Sequence, residues 1–193
     1  MAQSLSSDRR FHSKDLEAFV ARALTALGLP ASDAEQVARL MILADLRGAD
    51  GHGIFRLPQY VRRIRAGGLN VGPNIRVVQE TEAMALVDGD DGMGHLVMRF
   101  AVQVAMDKAK HAGVSWVGVR QSNHAGPAAL YAMMPLERDM IGIYIAVGSA
   151  NHLHRGAAST FCSARIRSPS RFRPLKNHLS SWIWQPRWPP MAR

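Results

Sequence analysis

Leu16, Phe19, Val20, Ala23, Leu24 and Leu27 recur at i, i+3, i+4, i+7, i+8 and i+11, with Ser13 placed to cap the run and Gly28 to stop it. That spacing predicts an amphipathic helix, because residues three and four apart share a helical face. After Pro30, Ser32 and Glu35 form an S-x-x-E capping box, and Val37, Leu40, Met41 and Ala44 continue on one face until Gly48. Pro58 suits the first turn of a third, short helix bearing Tyr60, Val61 and Ile64, closed by Gly67-Gly68. The period then changes. Residues 75–78 and 83–87 read as strands, the second closed by the turn-forming run Asp88-Gly-Asp-Asp-Gly-Met-Gly. A longer helix follows, with Val97, Phe100, Ala101 and Val104 on one face and Gly113 past its end. Residues 114–119 read as a strand, 127–138 as a helix and 141–147 as a strongly apolar strand. Strands alternating with helices predict an α/β fold, an N-terminal helical region beside a partly parallel, helix-covered sheet.

Composition narrows the class. With 193 residues, 47% apolar and 20% charged, the chain can bury a core, and no run approaches the ~18 apolar residues of a membrane span. The first residues carry charge where a secretory signal needs an apolar stretch, which predicts a cytoplasmic protein. A lone cysteine, Cys162, excludes a disulfide framework and a cysteine-based zinc site. The net charge of +9 suggests nucleic acid until it is divided along the chain. Residues 154–193 hold eight of the 24 basic residues and no acidic ones, so 1–153 balance 16 basic against 15 acidic residues. The same forty residues hold three of the four tryptophans, half of the ten prolines and the cysteine. Two compositions therefore meet near residue 154.

Three groups of residues carry candidate chemistry. Gly89-Asp-Asp-Gly-Met-Gly has the glycine content of a phosphate loop but neither the G-x-G-x-x-G order nor a G-K-[ST] ending. As a calcium loop it places Gly92 where a ligand belongs and Arg99 where the closing glutamate belongs, so it reads as a strand-to-helix turn. His52 and Arg56, in Asp50-Gly-His-Gly-Ile-Phe-Arg-Leu-Pro-Gln-Tyr, are the residue types a 2-oxo-acid reductase needs. The imidazole exchanges a proton near neutrality and the guanidinium clamps a carboxylate. Flanking glycines would admit a substrate closely, while Pro58 disfavours helical geometry at Leu57 and argues against one continuous helix carrying the pair. A surface histidine and a solvated arginine fit the same composition. Ser122-Asn-His-Ala-Gly-Pro-Ala-Ala places His124 and open backbone amides where a strand passes to a helix, a position at which α/β sheets bind ligands. A helix cap by Ser122 or Asn123, with His124 exposed, is the alternative.

These segments, with Ala44-Asp-Leu-Arg-Gly-Ala leading into the first, resemble the type-2 malate/L-lactate dehydrogenase family over most of residues 10–153. Its members include ureidoglycolate, sulfolactate and diketogulonate oxidoreductases and Δ1-pyrroline/piperideine-2-carboxylate reductases. The resemblance implies NAD or NADP as cofactor, held without a Rossmann fold. It also implies a small 2-oxo or 2-hydroxy acid or a cyclic imino acid as substrate, and a homodimer. It makes His52 a proton donor or its helper and Arg56 the carboxylate clamp, with Tyr60 also on the substrate side. It places His124, Ala125, Gly126, Pro127 and Ala128 at the cofactor, His124 being a candidate acid/base as well. One position departs: the family has Ser-His-Gly where this chain has Gly51-His52-Gly53, so no serine relay to His52 is expected. The implied organisation is a helical region at 1–70, the first part of an incomplete mixed-sheet cofactor domain at 71–153, and a tail at 154–193.

The family pattern continues with Pro-Trp-Gly-Gly, Asn-Pro-Ile and Leu-Asp-Met-Ala-Thr segments that this chain lacks. With suitable codons, restoring one C after the Leu153 codon turns Leu153 to Ser168 into Leu-Pro-Pro-Trp-Gly-Gly-Ile-Asp-Leu-Leu-Leu-Ser-Thr-Asn-Pro-Ile. The same frame turns Ser181 to Arg187 into Leu-Asp-Met-Ala-Thr. Residues 154–193 are therefore expected to be an out-of-frame, disordered tail on a truncated and inactive enzyme, an expectation that sequencing the coding DNA tests. The competing expectation is a basic module in which Arg165, Arg167, Arg171, Arg173 and Lys176 meet phosphates while Phe172, Trp182, Trp184 and Trp188 stack on bases.

Overall fold

The structure, a computed structural model, describes residues 10–146 together with 185–186. Helices α1 (Ser13–Thr25) and α2 (Ala31–Leu46) pack together through Val20, Leu24, Val37 and Met41, all fully buried. Gly28 turns the chain between them at φ +100°, a conformation that costs a side-chain-bearing residue. The caps differ from expectation. His12 and Pro30 occupy the N-cap positions and neither helix gains a side-chain cap bond. The Pro30 carbonyl accepts from the Asp33 and Ala34 amides, which starts α2 so early that Ser32 already lies in its first turn.

Helix α2 is buried on two sides rather than along one stripe. Val37 and Met41 face α1, whereas Leu40 and Ala44 face a second core built with Val102, Ala105, Met106 and Ala109. After α2 the chain passes through two 3-10 turns, Asp50–His52 and Ile54–Arg56, into α3 (Leu57–Arg65). Leu57 is helical (φ −51°, ψ −47°) despite the proline that follows it, so the sequence expectation at that residue fails. The interruption between His52 and Arg56 lies instead at Gly53 (φ −94°, ψ −135°).

The sheet has three strands in the order β1 (Arg76–Glu80), β2 (Met84–Gly92), β3 (Trp116–Ser122). β1 and β2 are antiparallel, β2 and β3 parallel, giving the expected mixed α/β arrangement. Helix α4 (Gly94–Ala112) makes the crossover and lays Val97 and Ala101 on the buried Val87. Gly113 ends α4 at φ +81°. Phe100 does not join the core, because α4 turns Ala101, Val102, Ala105, Met106 and Ala109 inward. The acidic glycine run is not a turn after a strand but the end of β2. Register shifts between Asp88 and Gly92, and Asp90 and Asp91 sit at φ 49° and 52°, the signature of a bulge.

The helix expected over 127–138 breaks in two, α5 (Ala128–Ala132) and a 3-10 turn Met134–Arg138. Pro135 has no amide to continue the α ladder. The apolar segment from 141 makes only a two-residue strand, β4 (Met140–Ile141), paired antiparallel with β5 (Gln185–Pro186). Apolar content favours burial, but a strand also needs a ladder partner, and the β1–β3 sheet does not include this segment. Apart from Gln185 and Pro186, the tail on which the frame-shift and nucleic-acid expectations fall lies outside the described residues. None of the helices of the described residues is long and apolar enough to cross a membrane.

Candidate active site

Two loops meet at the site, and each closes on a glycine. In the first, the Asp45 carboxylate near the end of α2 accepts the Ile54 amide at 2.8 Å. A Cβ on Gly53 would fall on that carboxylate, so with any other residue at 53 the Asp45 side chain would have to swing aside and give up its place under the turn carrying His52. Gly53 thus faces protein rather than substrate, which corrects the reading of both flanking glycines as substrate clearance. Burial, opposed by the Ile54 amide, holds the Asp45 carboxyl above its ordinary value. Arg56 turns back over the same loop, donating from Nε to the Gly51 carbonyl at 2.7 Å and from Nη1 to Gln59 Oε1 at 2.8 Å.

The second loop follows β3. Asn123 Nδ2 donates to the Asp91 and Gly92 carbonyls at 2.6 and 3.3 Å, tying the loop to the bulged end of β2. The bulge is internally satisfied: Asp88 pairs with Arg120 at 2.8 Å, and Asp90 accepts from Asn70 Nδ2 and the Asn74 amide. The Asp88 and Asp90 carboxylates are thus spent on architecture. The α5 N-cap is Pro127 and lacks a side-chain cap bond, so Ser122 and Asn123 do not cap a helix. A Cβ on Gly94 would fall on the Asn123 carbonyl oxygen and 2.6 Å from that of His124, so helix and loop backbones meet directly. Tyr131, buried, donates its hydroxyl to the Ala125 carbonyl.

The loops bring His52, Tyr60 and His124 together. Tyr60 Oη lies 2.8 Å from His124 Nδ1, and the His52 and His124 rings stack with centroids 5.6 Å apart. The Gly126 amide also points at His124 Nδ1, at 3.3 Å. An amide can only donate, so Nδ1 is the acceptor and neutral His124 carries its proton on Nε2. Burial pushes the Tyr60 phenol well above its ordinary value, against the nearby Arg56 charge, and Tyr60 stays un-ionised. The hydroxyl partnering a site histidine therefore comes from Tyr60, while Gly51 offers its carbonyl to Arg56.

A cavity of about 140 Å³ opens on this pair, lined by Gln59, Tyr60, Arg63, Ser122, Asn123 and His124. A larger depression of about 390 Å³ between α1 and α2, lined by Ala21, Arg22, Thr25, Ala26, Ala31 and Glu35, lacks any comparable cluster of proton-transfer groups. The arginine on the site cavity's wall is Arg63, not Arg56. It stands three residues after Tyr60 and seven after Arg56, a spacing that shares one helical face and was readable in the sequence. Asp45 and His95 were not singled out. His95, in the first turn of α4, is fully buried, meets the Tyr60 ring edge to face at 5.7 Å, and has no hydrogen-bond partner for either ring nitrogen among the described residues. Ala125 is buried and Gly126 sits at φ +78°, so the predicted cofactor segment 124–128 is a backbone surface. A dinucleotide needs a pocket of roughly 300–1,000 Å³. The cavity at His124 is smaller than that, so the described residues around it do not by themselves enclose a dinucleotide.

The chain is similar to known dehydrogenases. The sequence profile of the family described as Malate/L-lactate dehydrogenase matches residues 11–163. Malate dehydrogenase of Pyrococcus abyssi is 46% identical over 134 residues, 69% of this chain and 37% of that protein. L-sulfolactate dehydrogenase of Methanocaldococcus jannaschii is 42% identical over 122 residues, 63% of this chain and 36% of that protein. The solved structure of malate dehydrogenase from Pyrococcus horikoshii superposes with a TM-score of 0.68 at 45% identity, covering 70% of this chain and 39% of that one. The chain thus spans little more than a third of the length of these relatives.

Proposed function

Since the chain belongs to the malate/L-lactate dehydrogenase family, we propose that His124, Tyr60, His52 and the arginines of α3 form the acid/base and carboxylate-binding part of an NAD(P)-dependent oxidoreductase. Its substrate is a small 2-oxo or 2-hydroxy acid or a cyclic imino acid. The observation that carries this is the convergence of the Tyr60 hydroxyl and the Gly126 amide on His124 Nδ1. It assigns the neutral ring's proton to Nε2, the donor for a 2-oxo oxygen; in the cationic ring Nε2–H delivers the proton that completes reduction, and the proton that remains, on Nδ1, is donated to the Tyr60 oxygen. The Tyr60 hydroxyl serves both states, donating to the neutral ring and accepting from the cation. His52 stacks behind His124 as its helper, and Arg63, on the cavity wall, holds the carboxylate, joined by Arg56 once its side chain leaves Gly51 and Gln59. A bound nicotinamide cofactor would exchange hydride with the substrate's C2, its reactive end resting on residues 124–128. We assign the sheet to the first portion of a non-Rossmann cofactor domain, with the helical region at 1–70 packed beside it and a homodimer as the assembly.

The test adds oxaloacetate, sulfopyruvate, pyruvate and Δ1-pyrroline-2-carboxylate in turn to the full chain, with and without NADH or NADPH. Absorbance at the nicotinamide band and the His124 ring resonances are followed together. At least one acid should shift the His124 signals, and Arg56→Met or Arg63→Met should weaken that response about tenfold, the worth of one charge-assisted pair. Turnover is expected to be slight, because the described cavity cannot enclose a dinucleotide. Silence of His124 toward every acid and both cofactors overturns the reading, and turnover matching a full-length relative overturns the expectation of low activity.

A further inference from the structure

An imidazole with no solvent contact is an expensive choice for the first turn of a helix. Burying hydrogen-bonding groups without partners costs on the order of 1–3 kcal/mol in proteins, and a phenylalanine or leucine would avoid that. His95 nevertheless stands fully buried where α4, α3 and the 123–127 loop meet. Its ring lies at 88° to that of Tyr60 with centroids 5.7 Å apart, and its Nε2 lies 3.1 Å from where a Cβ on Gly126 would be. It therefore packs on one of the groups that converge on His124 Nδ1, the tyrosine whose hydroxyl bonds there, and occupies the space a side chain would need on the other, the glycine whose amide points there.

Resting on the site reading above, we propose that His95 is a positioning residue that braces the Tyr60 ring from one side and the Gly126 turn from the other, so that both donors meet on His124 Nδ1. The four rings form a row from half-buried His52 and exposed His124 through Tyr60 to His95, the inner end. Edge-to-face contact fixes the tilt of Tyr60 about its Cβ–Cγ axis, which packing of its other edges in the α1–α2 core does not. The neighbouring loop cannot slide away, because Gly94, one residue before His95, is in backbone contact with Asn123 and His124. Being neutral, His95 adds no charge to oppose protonation of His124. Burial holds its ring well below the ordinary histidine range, at about 3.

The test reads the tautomer of His124 rather than turnover, in the full chain labelled with 15N and observed through long-range proton–nitrogen correlation of the imidazoles. The unaltered chain should show His124 Nδ1 as an acceptor nitrogen and Nε2 as protonated, with Tyr60→Phe marking the pattern left when the pair is lost. His95→Leu, which removes the ring, should lower the Nε2–H to Nδ1–H ratio about fivefold, one ordinary hydrogen bond's worth. His95→Phe, which keeps a ring of similar shape, should restore most of it. Should the leucine variant fail to fold, His95→Gln, polar but ringless, takes its place with the same expected loss. A ratio unchanged in the ringless variants overturns the proposal, as does a phenylalanine variant no better than leucine. Absence of the Nε2–H pattern in the unaltered chain defeats the reading of the Tyr60–His124 pair itself, which is a separate result.

Discussion

The loop carrying His52 and the loop carrying His124 both close over a glycine, but on different partners. Gly53 passes over a side chain, the Asp45 carboxylate, whereas Gly94 passes under backbone, the carbonyls of Asn123 and His124. A carboxylate can swing aside when crowded, while a carbonyl moves only with its chain. The first loop is thus held by a polar anchor that can be released, and the second by contact between main chains.

The largest expected effect follows from that difference. Gly94→Ala should cost about 3 kcal/mol, the upper range for overpacking, read as a shift in urea midpoint, and a loss below ~0.5 kcal/mol would show that the loop yields. Acid separates the two loops by sign. Burial holds the His95 ring down to about 3, against an ordinary 6.5. Its contribution is fully present above 6.5 and is lost as pH falls toward 3, because the unfolded chain takes up a proton that the folded one refuses. The slope is at most ~1.4 kcal/mol per pH unit, and His95→Phe should flatten it in midpoints measured between pH 7 and 4. Asp45 runs the other way. Its raised carboxyl binds a proton more readily when folded, so its contribution grows as pH falls through its folded value and is lost as pH rises. An Asp45→Asn profile with no such difference would remove that contrast.

Smaller in scale, Asp45→Ala should cost about 1.5 kcal/mol for its bond to the Ile54 amide. Gly53→Ala should cost a similar amount, and the double variant little more than either, since both release one anchor. Additive losses would mean that Gly53 and Asp45 act separately. Smallest, Tyr131→Phe should cost about 1 kcal/mol through the Ala125 carbonyl, and thermal unfolding indistinguishable from the parent would show that this bond does not help hold the second loop.

The helices were legible because their stops are glycines that the backbone needs: Gly28, Gly48 and Gly113 all take positive φ. The bulge at Asp88–Gly92 was not, since Asp-Gly-Asp-Asp-Gly is equally the composition of a turn and only pairing with β3 decides between them. Helix α4 misled at Phe100 because a helix buried on two sides has no single stripe to read. At the site, local motifs pointed to His52, Tyr60 and His124, which the fold brings together, and to Arg56, which it turns toward Gly51 and Gln59. Asp45 and His95 left no local mark. Asp45 acts on the turn nine residues on, beneath a glycine, and His95 on a ring and a loop brought from elsewhere in the chain, contacts that exist only once α3 and α4 have packed together.

The row of rings opens outward only at its histidine end, so a flat oxo or imino group can lie against it in one orientation, with one side turned to the imidazole. The resulting centre would then have a single hand. Chromatography of the product on a chiral phase reads that directly, and a racemate would mean that the row does not orient what it protonates.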